Sequence, residues 1–255
     1  MKEIYKNRMH FGLIGKSLSH SFSKSYIETK FIKEDKENFT YTNFDLENLD
    51  GLLQIISDNK LSGLNVTKPY KEAIIPFLNG LDETAKEIGA VNCIKIKWNN
   101  DAPYLIGHNT DYYGFAQSIK PFLEPIHQRA LILGTGGASK AIAYALKNVG
   151  VDFYFVTTGE KKAANYFHYS ELNDYVLDAF KLIVNCTPLG MYPKTESYPD
   201  IHFEFITSEH LLFDLIYNPE ETLFLQKGKA QSAITINGLN MLKLQADKAW
   251  EIWHS

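Results

Sequence analysis

The sequence predicts an α/β protein of two domains, and three observations lead there. Short apolar runs alternate with helix-like segments along the whole chain, the rhythm of βαβ units. The run Ala130-Leu131-Ile132-Leu133 ends in the glycine-rich turn Gly134-Thr135-Gly136-Gly137-Ala138-Ser139, and a helix-like segment follows to Val149. Around residue 111 the style of the chain changes, and the unit carrying the glycine turn begins at Arg129. A turn of this kind lets backbone N–H groups approach a pyrophosphate and offers it the positive end of a helix dipole. The sixth position of the Gly-x-Gly-x-x-Gly pattern is Ser139, and glycine turns of this type also serve plain packing.

Composition bounds the answer. At 255 residues, with 45% hydrophobic and 22% charged, the chain can fill one large core or two moderate ones. A net charge of −4 and a pI near 6.1 supply no basic field for nucleic acid. No apolar run approaches bilayer length, and residues 11–14 are too short for a signal-peptide core, so no membrane partner is expected. Cys93 and Cys186 stand far apart without a C-x-x-C spacing. That usage fits a reducing cytoplasm and argues against a disulfide scaffold or a thiolate zinc site.

In chain order, residues 10–15 read as a strand, followed by the polar stretch 16–23, whose serines include Ser21 and Ser23. Serines before a helix over 24–33 either cap it or hydrogen-bond a polyhydroxylated ligand. Residues 41–44 read as a strand and 46–58 as a helix. Asn65-Val66-Thr67-Lys68-Pro69-Tyr70-Lys71 then crosses from a strand into a helix, with Pro69 suited to the first turn. A lone lysine is ordinarily a solvated charge; Lys71, just past Asn65 and Thr67 at a strand's carboxyl end, is a better catalytic candidate. A helix over 82–88 precedes Gly89-Ala90-Val91-Asn92, where Asn92 either serves the structure or holds a hydroxyl. The Asn99-Asn100-Asp101 turn signal predicts a hairpin. Asn109-Thr110-Asp111 opens a helix, so Asp111 is either its cap or a functional carboxylate.

The second domain's strands are expected at 131–133, 151–156, 181–185 and 211–215, with 233–236 as a possible last one. An NAD-binding second strand normally ends in Asp or Glu for the ribose 2′-hydroxyl. Here Thr157-Thr158-Gly159-Glu160-Lys161-Lys162 takes that place, and its hydroxyls and lysines favour NADP, with Glu160 pulling the other way. Asn185-Cys186-Thr187-Pro188-Leu189-Gly190-Met191 and Asp214-Leu215-Ile216-Tyr217-Asn218-Pro219 both end strands in turns. The closing helix carries Leu239, Leu242, Ala246, Ala249, Trp250 and Trp253 on one stripe, with Gln245 where it turns polar.

Taken together these motifs resemble the shikimate dehydrogenase family over nearly the whole chain. The residues concerned are Gly12-x-x-Gly15 with His20-Ser21-x-Ser23, Gly63-x-Asn65-Val66-Thr67-x-Pro69-x-Lys71, Gly89-Ala90-Val91-Asn92 and Asn109-Thr110-Asp111. They continue with Gly134-x-Gly136-Gly137-Ala138-Ser139, Asn185-x-Thr187-Pro188-x-Gly190-Met191, Tyr217-x-Pro219-x-x-Thr222 and Gly238-x-x-Met241-Leu242-x-x-Gln245. Ser139 is usual in this family.

The resemblance implies reversible NADPH-dependent reduction of 3-dehydroshikimate to shikimate, without a metal, by a chain acting as monomer or homodimer. By matched position Lys71 and Asp111 are the catalytic pair, and Ser21, Ser23, Thr67, Asn92, Asp111, Tyr217 and Gln245 surround the substrate. Gly134, Thr135, Gly136, Gly137 and Ala138 carry the pyrophosphate. Thr157, Thr158 and Lys162 stand at the 2′-position, and Leu215, Gly238 and Glu83 near the rest of the cofactor. Residues 1–111 with 238–255 form the substrate domain, and 112–237 a Rossmann-type NADP domain. Three departures stand out. Thr157-Thr158-Gly159 replaces the usual Asn-Arg-Thr, Tyr112 replaces a usual Gly, and the stretch 162–180 is short. The alternatives are a quinate/shikimate dehydrogenase with relaxed NAD/NADP use and a ligand sensor without turnover.

Overall fold

In the computed structural model residues 9–18, 22–161 and 163–255 are described, so Ser21 and Lys162 lie outside the described residues. The chain divides into two compact units, Met1–Thr110 with Gln245–Ser255, and Asp111–Leu244.

The first unit runs β1 (Met9–Gly15), α1 (Ser23–Lys33), β2 (Phe39–Asp45), α2 (Leu52–Asp58), β3 (Leu61–Val66), α3 (Tyr70–Ala73), β4 (Gly80–Leu81), α4 (Glu83–Ile88), β5 (Cys93–Asn99) and β6 (Ala102–His108). Its sheet has the order β2-β1-β3-β5-β6-β4. β1 lies parallel to β2 and β3, whereas β5 and β6 form the expected antiparallel hairpin. Alternation along β1 serves both faces: Phe11 and Leu13 join one buried cluster and Ile14 the other. On the first face Trp253 stacks on Phe11 at 4.7 Å between ring centroids and donates from Nε1 to the Ile94 carbonyl at 3.0 Å. Such a pair adds about 0.5–1.5 kcal/mol beyond its burial. A Cβ on Gly63 would sit 2.5 Å from the Trp253 ring, so β3 needs glycine where this ring presses on it.

α2 starts six residues later than the sequence suggests. Asn48 Oδ1 accepts the Asp50 N–H at 3.1 Å, and this local bond draws the backbone into a turn before the helix begins.

The second unit runs α5 (Asp111–Ile119), β7 (Arg129–Leu133), α6 (Gly137–Asn148), β8 (Asp152–Thr157), β9 (Tyr166–His168), α7 (Asp174–Ala179), β10 (Leu182–Asn185), β11 (Leu211–Asp214), α8 (Leu223–Ala230), β12 (Ile234–Ile236) and the start of α9 (Leu239–His254). The sheet order is β12-β11-β10-β7-β8-β9, and every pairing in it is parallel. Counted from β7 as the first strand this is 3-2-1-4-5-6, the doubly wound dinucleotide-binding order. Buried clusters cover both faces, one around Phe115, Ile132 and Phe213, the other around Leu131, Ile183 and Phe224. The short stretch noted in the sequence has a structural counterpart: residues 158–165 join β8 to β9 with no helix among the described residues.

α9 contributes to both units. Met241 packs in the second unit's core, and Ala246, Ala249, Trp250 and Trp253 pack in the first. The division therefore falls at Gln245, where the sequence suggests a return at 238.

Candidate active site

In the first unit the polar candidates gather at the ends of β3, β5 and β6. Asn65 is buried at the end of β3; its Oδ1 accepts the Tyr41 hydroxyl at 2.8 Å, and its Nδ2 donates to the Asn92 carbonyl at 3.4 Å. The Asn92 side chain, buried as β5 begins, accepts the Thr110 N–H at 2.6 Å. Its Nδ2 donates to Thr110 Oγ1 at 2.9 Å and to Gln245 Oε1 at 3.3 Å. Thr110 Oγ1 lies 3.2 Å from the same Gln245 oxygen. The fold thus brings Asn92 and Gln245, far apart in sequence, into one hydrogen-bonded group, with Thr110 as a member the sequence does not single out.

Lys71 lies in α3, immediately after the crossover from β3. Thr67 is pinned to β1 through its N–H to the Ile14 carbonyl at 2.9 Å, and its own carbonyl accepts the Tyr70 N–H at 2.9 Å. The Lys71 carbonyl accepts the Val91 N–H at 2.7 Å. These bonds fix the Lys71 backbone to the segment that carries Asn92. Pro69 stands at the N-cap rather than in the first turn of α3.

Ser23 opens α1, but the N-cap is Phe22, without a side-chain cap bond, so the capping role read for these serines is not taken by Ser23. Glu83 is exposed as the first residue of α4, whose cap is Asp82, with Oδ1 accepting the Ala85 N–H at 2.7 Å.

In the second unit Asp111 is the buried first residue of α5. Tyr112 is absorbed by packing, edge-on to Tyr144 of α6 at 5.3 Å. The glycine turn sits at the sheet's switch point. Gly134 has φ +103°, the left-handed region that favours glycine, and a Cβ there would lie 3.3 Å from Thr187 in the turn after β10. The carboxyl ends of β7 and β10 therefore meet where ligands bind in doubly wound sheets. Gly136 caps α6, and a Cβ on it would meet nothing within 4 Å, so the helix start has open space before it. The N–H groups of Gly137 and Ala138, the first two of α6, have no partner within the helix. Ser139 Oγ donates to the Gly136 carbonyl at 2.6 Å, so serine closes the turn at the position where the pattern has glycine.

Leu215 and Gly238 come together: a Cβ on Gly238 would overlap the Leu215 carbonyl oxygen, so only glycine permits this approach. Tyr217 is half-buried in the loop after β11. That loop is held by Asp214, which the sequence shows only as a strand end. Its buried carboxylate accepts Asn185 Nδ2 and the Ile216 N–H, each at 3.0 Å, and Thr222 Oγ1 at 2.6 Å. Burial pushes this carboxyl up to about 6, against the opposing pull of those three donors. Asn185 Oδ1 in turn accepts the Thr187 N–H at 2.9 Å and its hydroxyl at 2.7 Å, so one buried network shapes the turns after β10 and β11.

Thr157 and Thr158 stand at the end of β8, as expected. Lys161 is paired with Glu171 at 2.5 Å. Among the described residues no group of three or more His, Cys, Asp or Glu side chains could hold a metal ion. No helix among them is long and apolar enough to cross a membrane.

The family model described as the shikimate dehydrogenase substrate binding domain matches residues 13–94. A shikimate dehydrogenase (NADP(+)) of Methanosphaera stadtmanae is 38% identical, over 95% of this chain and 90% of that protein. The chain belongs to the shikimate dehydrogenase family. Among solved structures of the family, shikimate dehydrogenase 1 from Peptoclostridium difficile superposes with a TM-score of 0.84 at 37% identity, covering 96% of this chain and 91% of that one. The fold also matches a quinate dehydrogenase from Corynebacterium glutamicum in complex with NAD, with a TM-score of 0.83 at 26% identity over 96% and 93% of the two chains.

Proposed function

We propose that the protein is an NADP-dependent oxidoreductase that reversibly reduces 3-dehydroshikimate to shikimate, a CH–OH reaction of the shikimate pathway. The observation that carries this reading is the 38% identity to a shikimate dehydrogenase (NADP(+)) extending over 95% of the chain. The unit Met1–Thr110 with Gln245–Ser255 is the proposed substrate domain, and Asp111–Leu244 the cofactor domain. The match of residues 13–94 to a substrate binding domain supports the first assignment, and the 3-2-1-4-5-6 sheet supports the second.

Gly134 to Ala138 suit a pyrophosphate, because the start of α6 is open in front of N–H groups that the helix itself does not bond. When bound, NADPH supplies the hydride through its nicotinamide. The remaining work falls to the chain. Reduction of a ketone places negative charge on oxygen, and the Lys71 ammonium is the proposed group that stabilises that charge and supplies the proton. Asp111 is the proposed partner that orients the reacting hydroxyl. Ser21, Ser23, Thr67, Asn92, Tyr217 and Gln245 are the proposed holders of the substrate's carboxylate and hydroxyls, by donor and acceptor chemistry suited to both. We place the enzyme in the cytoplasm as one chain or a pair of identical chains, which light scattering distinguishes.

One observation favours a second reading. Thr158 stands where the family carries arginine, and Glu160 is exposed on the same turn, an arrangement that weakens discrimination against NAD. Initial rates for shikimate and quinate, each with NADP+ and NAD+, decide between them. The proposal expects shikimate with NADP+ to be fastest; quinate turnover at a comparable rate, or equal use of NAD+, establishes the relaxed enzyme instead.

A further inference from the structure

We propose that Asp214 is a positioning residue for hydride transfer: its buried carboxylate fixes the turn after β11, which carries Leu215 and Tyr217, against the end of β10 and against Gly238. This deepens the cofactor reading above and rests on it, because Leu215 and Gly238 are that reading's contacts with the cofactor. The strand register starts the arrangement. β10 and β11 run parallel with Asn185 opposite Asp214, and β7 runs beside β10 with Leu133 opposite Asn185. The last residues of these neighbouring strands therefore lie side by side, and the glycine turn begins immediately beyond Leu133. β10 and β11 each end an apolar run in a polar side chain, and Asn185, Asp214 and Thr222 are exposed by 1% or less.

The two carboxylate oxygens hold different parts of the loop. Oδ1 accepts Asn185 Nδ2 and the Ile216 N–H, each at 3.0 Å. The second bond reaches two residues along and turns the chain as it leaves β11. Ile216 then offers its carbonyl to the Gly238 N–H at 3.0 Å, and the Leu215 carbonyl fills the space that a side chain on Gly238 would need. Oδ2 accepts the Thr222 hydroxyl at 2.6 Å, which closes the loop 215–221 at its far end. Between these anchors the Asn218 carbonyl accepts the Tyr192 N–H at 3.1 Å, tying the loop to the segment that follows β10.

Donors converging on both oxygens call for a carboxylate. Asparagine would keep Oδ1 for Asn185 and Ile216 but turn an NH2 toward Thr222, whose hydroxyl then loses its acceptor. Burial opposes the charge and raises this carboxyl to about 6, so the group is kept against the preference of its surroundings. A buried charge is a poor source of stability. What it supplies here is one arrangement of the loop, and hydride transfer depends steeply on how the reacting groups are placed.

The test joins amide exchange of the cofactor-free protein to kinetics, for wild type, Asp214→Asn, Thr222→Val and Thr222→Ser at about pH 8, where the carboxyl is ionised. The Tyr192 and Gly238 amides report on the loop, because both donate to it. In Asp214→Asn they are expected to exchange about tenfold faster, the scale of one hydrogen bond to a charged group, while the amides of β7 and β8 keep wild-type protection. In the same variant kcat for shikimate oxidation by NADP+ is expected to fall at least about tenfold, with NADP+ affinity within about twofold of wild type. The isotope effect from deuterium on the hydride-donating carbon of shikimate grows with it. Thr222→Val is expected to match Asp214→Asn, and Thr222→Ser, which keeps the hydroxyl, to match wild type. Wild-type kcat or wild-type exchange at both reporter amides in Asp214→Asn overturns the proposal, as does loss of protection spread evenly over the second unit. Absence of shikimate turnover by the wild type overturns the functional reading, and this inference with it; exchange at Tyr192 and Gly238, measured without ligand, separates that failure from failure of the Asp214 hold.

Discussion

Replacing Asp214 with asparagine removes an ionisation that the second unit resists. The carboxyl is buried at the end of β11, and burial moves it from 3.8 to about 6. The rise from 3.8 to about 6 corresponds to about 3 kcal/mol. The folded value lies above the unfolded one, so the folded chain binds this proton more tightly. The stability it contributes is complete below about pH 3.8 and is lost as the pH rises through 6. Asn185 Nδ2, the Ile216 N–H and Thr222 Oγ1 offset part of the cost of the charged form but do not cancel it. Asparagine keeps an oxygen for the two nitrogen donors and has no proton to lose. Hydrogen exchange at second-unit amides, or urea unfolding followed by a second-unit probe, reads the effect without assuming one transition for both units. On passing from about pH 4 to about pH 8, the stability of Asp214→Asn relative to wild type rises by about 3 kcal/mol. A difference constant to within about 0.5 kcal/mol over that range would refute the assignment of a raised pKa to this buried carboxyl.

Other substitutions probe the remaining parts. Gly238→Ala overlaps the Leu215 carbonyl and is expected to cost at least the ~1–3 kcal/mol of overpacking, seen as a lowered Tm, whereas Gly136→Ala meets nothing and keeps the Tm while weakening NADP+ binding in titration calorimetry. A Tm for Gly136→Ala as low as that of Gly238→Ala counts against the open space assigned to the helix start. Asn92→Ala strips the Thr110 N–H of its buried acceptor and is expected to cost about 1–3 kcal/mol in urea unfolding, with shikimate KM raised. An unchanged KM there removes Asn92 from the substrate's partners.

What the sequence made legible was local. The turn from Gly134 to Ser139 announces itself because an apolar strand, the glycines and the following helix are contiguous, and the β5–β6 hairpin because Asn99 to Asp101 supply its turn. The crossover carrying Thr67 and Lys71 is visible for the same reason. What escaped depends on partners distant in the chain. Thr110 matters because it meets Asn92 and Gln245, and Asp214 because Asn185 and Thr222 converge on it. β9 has three residues and no preceding helix, so neither periodicity nor the βαβ rhythm marks it. α2 begins late because an Asn48 side chain competes for the backbone, which hydrophobic spacing does not reveal.

Lys71 is the proposed source of the chemistry, and the glycine turn the proposed holder of the cofactor. The most direct measurement is shikimate-dependent NADP+ reduction by wild type and Lys71→Ala, with NADPH affinity determined on both. Lys71→Ala is expected to lose more than nine-tenths of kcat, a barrier increase of at least about 1.4 kcal/mol, with NADPH affinity unchanged. Turnover above about a tenth of wild type, with the variant folded and NADPH bound, would contradict it.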